Sequence, residues 1–186
     1  MNNSIGVIGA GVMGRGIARL CAQNGYPVLL VTKDESSAIK AQFVLSKELA
    51  DMISTGTLPE QVAERIFITN TPQDLQCTKM VIEAVNEDRW IKQRVYTSLE
   101  EVMPTDTILA TTTSSLSISK LAEGMKHPNR FIGTHFFRPP EDVGIVEVVL
   151  GEDTCINTFE KTLYFIKRLG KQAHHLPDTQ QPRRSL

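Results

Sequence analysis

The stretch Ile5-Gly6-Val7-Ile8-Gly9-Ala10-Gly11-Val12-Met13-Gly14-Arg15-Gly16-Ile17-Ala18 decides the fold. An apolar run of strand type meets Gly-x-Gly-x-x-Gly at Gly9, Gly11 and Gly14, and a helix-compatible segment follows at once. Gly9 permits a tight turn, Gly11 lets a pyrophosphate come close to the backbone, and Gly14 lets the helix lie against the strand. The N–H groups of Val12, Met13 and Gly14 head that helix, at its positive dipole end, and suit a dinucleotide's phosphates. A glycine fingerprint alone is weak, but the strand before it and the helix after it supply the context that the motif requires.

With 186 residues and 41% hydrophobic side chains, the chain has enough apolar material for one sizeable core. The formal net charge of −1 argues against nucleic acid or an anionic membrane as the main partner. Cys21, Cys77 and Cys155 are scattered and odd in number, which points to reduced thiols in a cytoplasmic protein and gives no metal-type spacing. No apolar run approaches a membrane span, and Arg15 and Arg19 interrupt the apolar N-terminal stretch.

Outward from the fingerprint, Val12 to Asn24 reads as a helix stopped by Gly25, and Pro27 to Val31 as a wholly apolar strand. The end of that strand is where an acid usually receives the ribose hydroxyls of NAD. Thr32-Lys33-Asp34-Glu35 stands there instead. Three readings are open: Asp34 or Glu35 takes over, the site is looser, or Lys33 meets a 2′-phosphate and the cofactor is NADP. Ser36 to Thr55 is a helix with Ser36 or Ser37 as its N-cap and apolar positions Phe43, Val44, Leu45, Leu49, Met52 and Ile53. A helical turn from Pro59 to Arg65, a strand at Ile66 to Thr69 and a short helix from Thr71 follow.

Met80-Val81-Ile82 is the next buried strand, leading into Glu83-Ala84-Val85-Asn86-Glu87. Asp88 to Val102 is a charged helix with Trp90, Ile91, Val95, Tyr96, Leu99 and Val102 as its apolar stripe. The strand Thr107 to Thr111 ends in Thr112-Thr113-Ser114-Ser115, hydroxyls that either contact a ligand or cap the helix Ser117 to Glu123. The strand Arg130 to Phe137 contains His135 and is followed by Arg138-Pro139-Pro140. Glu147 is the one charge in the aliphatic strand Gly144 to Leu150. A carboxylate there is costly unless paired, and His135 is the natural partner for a proton-transfer pair; an outward-facing Glu147 on an edge strand is the other reading. A helix from Thr154 to Leu169 and a strand from Lys171 to Leu176 complete the pattern. His174 and His175 alternate across that strand and make a poor metal pair, and no metal site is expected. The tail from Pro177 reads as frayed. The fold expected is α/β: a Rossmann-type, doubly wound, mostly parallel sheet with helices on both faces.

These residues together resemble the N-terminal, NAD-binding domain of the 3-hydroxyacyl-CoA dehydrogenases. The resemblance rests on Gly9 to Ala18, on Val81-Ile82-Glu83-Ala84-Val85 with Glu87 and Lys92, and on Thr113-Ser114-Ser115-Leu116. Phe131-Ile132-Gly133, His135-Phe136-Phe137 and Val146-Glu147-Val148-Val149 complete it. It implies that His135 is the general base, Glu147 its orienting carboxylate, and Ser114 the hydroxyl that holds the substrate oxygen near the nicotinamide. It also implies that Ala84, Val85, Glu87, Lys92, Thr112 and Ser114 line the cofactor site. The expected substrate is an acyl thioester, CoA-linked or carried by a protein. Arg138 stands where the family has Asn and faces the substrate side; Thr112 stands where the family has Asn, and Thr55 falls near a lysine that meets CoA phosphates. The family's helical second domain opens with Pro-Gly-Phe-x-x-Asn-Arg soon after the position of Asp178. Gln180-Gln181-Pro182-Arg183-Arg184 stand there instead. Residues 1–178 are therefore read as one dinucleotide-binding domain and 179–186 as a tail. A second copy or a partner chain supplying a helical domain is the expected assembly.

Overall fold

The computed structural model of the chain describes residues 4–178. Runs of apolar residues with no polar alternation form strands that are buried on both faces, as parallel strands must be. In chain order the elements are β1 (Ser4–Ile8), α1 (Val12–Gln23), β2 (Val28–Val31), α2 (Glu35–Ser54), β3 (Ile66–Thr69), β4 (Thr78–Glu83), α3 (Arg89–Glu100) and β5 (Ile108–Thr111). They continue with α4 (Ile118–Ala122), β6 (Phe131–Phe136), β7 (Ile145–Leu150), α5 (Ile156–Arg168) and β8 (Gln172–Leu176), and short 3₁₀ turns precede β3, β4 and β6. The strands form one sheet in the order β3-β2-β1-β4-β5-β6-β7-β8, parallel throughout except for the antiparallel pair β6/β7.

Alternation along each strand splits the core in two. Val7, Leu30, Ile82 and Phe136 pack against α1, α2 and α5 through Ile17, Leu45 and Ile166. Ile8, Val31 and Val81, the chain neighbours of the first three, pack with Phe131 on the other face against Tyr96 and Leu99 of α3 and Leu121 of α4. Helices thus cover both faces, as expected. The strand order reverses between β1 and β4, which opens a crevice at their carboxyl ends.

The structure corrects four local expectations. Asp34, not Ser36 or Ser37, caps α2; its Oδ1 accepts the Ser37 N–H at 2.7 Å. Phe43 is 74% exposed, because Ala41, Leu45 and Leu49 already complete the inward face of α2. On α3, Trp90 and Ile91 are 72% and 44% exposed, and the buried stripe is Lys92, Tyr96 and Leu99. Hydropathy excluded Lys92 from that stripe, yet helical spacing places it there. Finally, Asp178 is not frayed: its carboxylate accepts from the Ile118 and Ser119 N–H groups at 2.9 Å and from the Ser117 and Ser119 hydroxyls. Residues 179–186 of the expected tail lie outside the described residues.

A Cβ on Gly14 would lie 1.8 Å from the Gly9 carbonyl oxygen, whereas one on Gly11 would meet nothing within 4 Å. Gly14→Ala should cost about 3 kcal/mol or more of overpacking and lower Tm by roughly 6–12 °C. Gly11→Ala should leave Tm within about 2 °C by the same scale while weakening dinucleotide binding. Calorimetric melting alongside NADH titration checks both. Burial alone would raise the Asp178 pKa, but the Ser119, Ile118 and Ser117 donors outweigh it and hold the group below its ordinary 3.8. A lowered folded pKa adds stability above the unfolded value that is lost as pH falls through the folded one. Asp178→Ala should therefore cost about 1 kcal/mol near neutral pH, and the difference from wild type should vanish in acid below the ordinary carboxylate range.

Candidate active site

The glycine turn sits at the β1/β4 crevice. Gly9 has φ of 98°, in the left-handed region that favours glycine, and its Cβ would lie 2.8 Å from the Ala84 carbonyl oxygen. The turn and the β4 end are therefore pressed together, with the Ala84 N–H donating to Ile8 O at 2.8 Å. Gly11 is the N-cap of α1 and offers no capping side chain. Intrahelical bonding begins with the Arg15 N–H on Gly11 O, so the N–H groups of Val12, Met13 and Gly14 have no backbone partner within the helix. Open space over Gly11, unpaired donors and no acid in the first turn fit a pyrophosphate.

The ribose end differs. Thr32 is buried, and its hydroxyl lies against the carbonyls of Asp34 at 3.1 Å and Thr69 at 3.4 Å. Lys33 faces solvent, 3.6 Å from Asp34. Asp34 itself caps α2.

Sequence reasoning missed the feature that organises the crevice. Glu83, fully buried at the end of β4, accepts from the Val85 N–H at 2.7 Å and Lys92 Nζ at 2.8 Å on one oxygen. Its other oxygen accepts from the Tyr96 hydroxyl and the Thr111 hydroxyl, each at 2.7 Å. Burial, and then the neighbouring Glu83 charge, push the Tyr96 pKa well above its ordinary value, so the phenol stays a donor. The only early signal was a cluster of polar residues inside apolar segments: Glu83, Lys92, Tyr96 and Thr111. Lys92 Nζ also lies 3.5 Å from Glu87 Oε2. Lys92, read as a cofactor contact, is thus buried between two carboxylates and acts on the site surface through Glu87.

Glu87 in turn organises the hydroxyl loop. Its Oε1 accepts from the Thr113 hydroxyl at 2.6 Å, from the Ser114 and Ser115 N–H groups at 3.0 and 3.1 Å, and from the Ser115 hydroxyl at 2.9 Å. The Ser114 hydroxyl stands at 3.4 Å. Burial opposes its ionisation, but the Thr113 hydroxyl, the Lys92 charge and the serine donors outweigh burial and hold its pKa below the ordinary carboxylate value. Thr112 joins the same frame through its N–H on Glu83 O at 3.0 Å. The Ser115 hydroxyl therefore serves Glu87, and α4 is capped by Ser117.

His135 and Glu147 stand opposite each other in the antiparallel β6/β7 register. Nδ1 of His135 lies 2.9 Å from Oε2 of Glu147, with both side chains 15% exposed. Phe137 packs on the imidazole at a ring separation of 4.5 Å. The outward-facing reading of Glu147 is replaced by this pair. The β7/β8 register puts His174 beside Glu147 on the same face, although the two make no hydrogen bond. Arg138 follows β6, exposed and with no hydrogen-bond or ion-pair partner among the described residues. No group of three or more His, Cys, Asp or Glu residues suited to a metal occurs among the described residues, and no helix there is long and apolar enough to cross a membrane.

Residues 4–179 match the family model for the 3-hydroxyacyl-CoA dehydrogenase NAD-binding domain. The chain is 35% identical over 171 residues to 3-hydroxybutyryl-CoA dehydrogenase of Clostridioides difficile, covering 90% of this chain and 61% of that protein. It is 34% identical over 173 residues to 3-hydroxyadipyl-CoA dehydrogenase of Escherichia coli K12, covering 91% of this chain and 36% of that one. The fold matches the crystal structure of (S)-3-hydroxybutyryl-CoA dehydrogenase from Ralstonia eutropha with a TM-score of 0.89 at 31% identity, over 96% of this chain and 65% of that chain. The chain thus spans about three-fifths of the length of the first of these relatives. With these matches and the open, donor-lined turn at Gly11, the chain belongs to the family of NAD-binding domains of the 3-hydroxyacyl-CoA dehydrogenases.

Proposed function

We propose that this chain is the cofactor- and base-bearing domain of a dehydrogenase that oxidises a CoA-linked 3-hydroxyacyl thioester to the 3-ketoacyl thioester, or runs the reverse reduction. The observation that carries the reading is the 2.9 Å pair of His135 Nδ1 and Glu147 Oε2 at the carboxyl edge of the sheet. With Nδ1–H donating to Glu147, Nε2 keeps its lone pair and can take the proton of the 3-hydroxyl. Bound NAD supplies the hydride acceptor for the hydrogen leaving C3. In reduction, Nε2–H returns a proton to the 3-keto oxygen. Ser114 holds that oxygen, and Glu87 fixes the loop that carries Ser114. Gly11 and the head of α1 would hold the cofactor's pyrophosphate, with Lys92 acting through Glu87. Because the relatives are longer, further protein, in this polypeptide or another, forms the rest of the substrate cleft.

A second reading, a dinucleotide-binding module with weak catalysis, is favoured by one feature. The Thr32 hydroxyl is turned onto backbone carbonyls rather than towards a ribose.

NADH consumption with acetoacetyl-CoA, measured beside NADH binding, separates the two. The dehydrogenase reading expects turnover that His135→Ala reduces by about 100-fold or more, the usual contribution of a general base. NADH affinity should change less than about twofold, because His135 lies outside the pyrophosphate and ribose contacts. Glu147→Gln should fall between the two in rate. NADH binding by wild type with no turnover at high protein concentration would support the binding module instead.

A further inference from the structure

The loop after β6 is held firmly while its arginine is left without a partner. Pro140 seats on α1 where a Cβ at Gly16 would come within 2.9 Å of the proline ring. Glu141 accepts from Arg19 Nε at 2.7 Å, and Arg19 also pairs with Glu48 of α2. Arg15 binds the same Glu48 at 2.7 Å and donates to Ala10 O at 2.8 Å, tying the network to the glycine turn. Lys171 Nζ donates to Glu141 O at 2.6 Å, and the Asp142 and Val143 N–H groups close onto Pro139 O. Of the acids that follow Arg138, Glu141 is committed to Arg19 and Glu147 to His135, and Asp142, four residues on, is exposed and makes no ion pair among the described residues. Arg138 is the one charge among residues 137–140, which form the head of the loop. It is exposed and without an ion-pair or hydrogen-bond partner among the described residues.

Arg138 lies three positions after His135, a stretch that spans at most about 10 Å. A guanidinium on a fixed backbone at that range from the base can engage a carboxylate through two parallel N–H bonds. Deepening the dehydrogenase reading, on which it rests, we propose that Arg138 selects acyl thioesters whose acyl chain ends in a carboxylate. The reacting carbon lies at His135 and the distal acid lies on Arg138. A surface arginine that only meets water would give no such preference.

The test is calorimetric titration of the NAD⁺-loaded chain with 3-oxohexanoyl-CoA and with its ω-carboxy counterpart. Both 3-keto compounds form dead-end complexes with NAD⁺, so binding is read without turnover. The expected result is a preference of about tenfold or more for the carboxylate-ended ligand, the size of one charge-assisted pair. That preference should shrink as salt rises. Arg138→Met should bring the ratio of the two affinities close to one, and Arg138→Lys should retain part of it. Equal affinities in wild type would overturn the proposal. So would Arg138→Met weakening both ligands alike, because the anion would then be a CoA phosphate. Binding of NAD⁺ with neither thioester bound would overturn the dehydrogenase reading and this proposal with it.

Discussion

A single buried ion pair, Glu83 with Lys92, sets the frame on which the rest of the site depends. Both groups are out of water, and all four near donors to Glu83 come from different stations: the β4 turn, two positions on α3, and the end of β5. A buried pair of this kind is weak evidence for net stability, but removing one partner leaves an uncompensated charge at a cost of about 3–5 kcal/mol. Its value lies in geometry. The Val85 N–H that Glu83 holds follows Ala84, the residue pressed against Gly9. The lysine continues to Glu87, which gathers Thr113, Ser114 and Ser115. Cofactor turn and hydroxyl loop are thereby fixed to one another through side chains that need touch neither ligand.

The parts of this arrangement legible in the sequence are those with a short-range cause. The glycine turn was legible because each glycine answers a local steric demand, and the parallel strands because burial on both faces leaves unbroken apolar runs. The pairing of His135 with Glu147 was legible because a lone carboxylate among aliphatic residues requires a partner. What stayed hidden depends on which way a side chain turns. Lys92 counted as polar and was left out of the buried stripe, while Trp90 and Ile91 counted as apolar and were read inward; the fold reverses both because Lys92 meets the buried carboxylate of Glu83. Asp34 was a candidate for a ribose, yet the unpaired N–H groups at the start of α2 claim it.

The site is asymmetric in how completely its ends are built. At the pyrophosphate end, steric fit and free donors agree. At His135, the imidazole meets the Glu147 carboxylate and is packed by Phe137. At the ribose end, Thr32 is turned inward and no carboxylate faces the cradle from Asp34.

The most direct test of the central claim is hydrogen exchange by mass spectrometry on Glu83→Gln, read with and without NADH. The account predicts faster exchange at two separated places, the Gly9–Gly14 turn and the Thr113–Leu116 loop, together with weaker NADH binding. Faster exchange confined to α3, with NADH affinity and the loop unchanged, would contradict it.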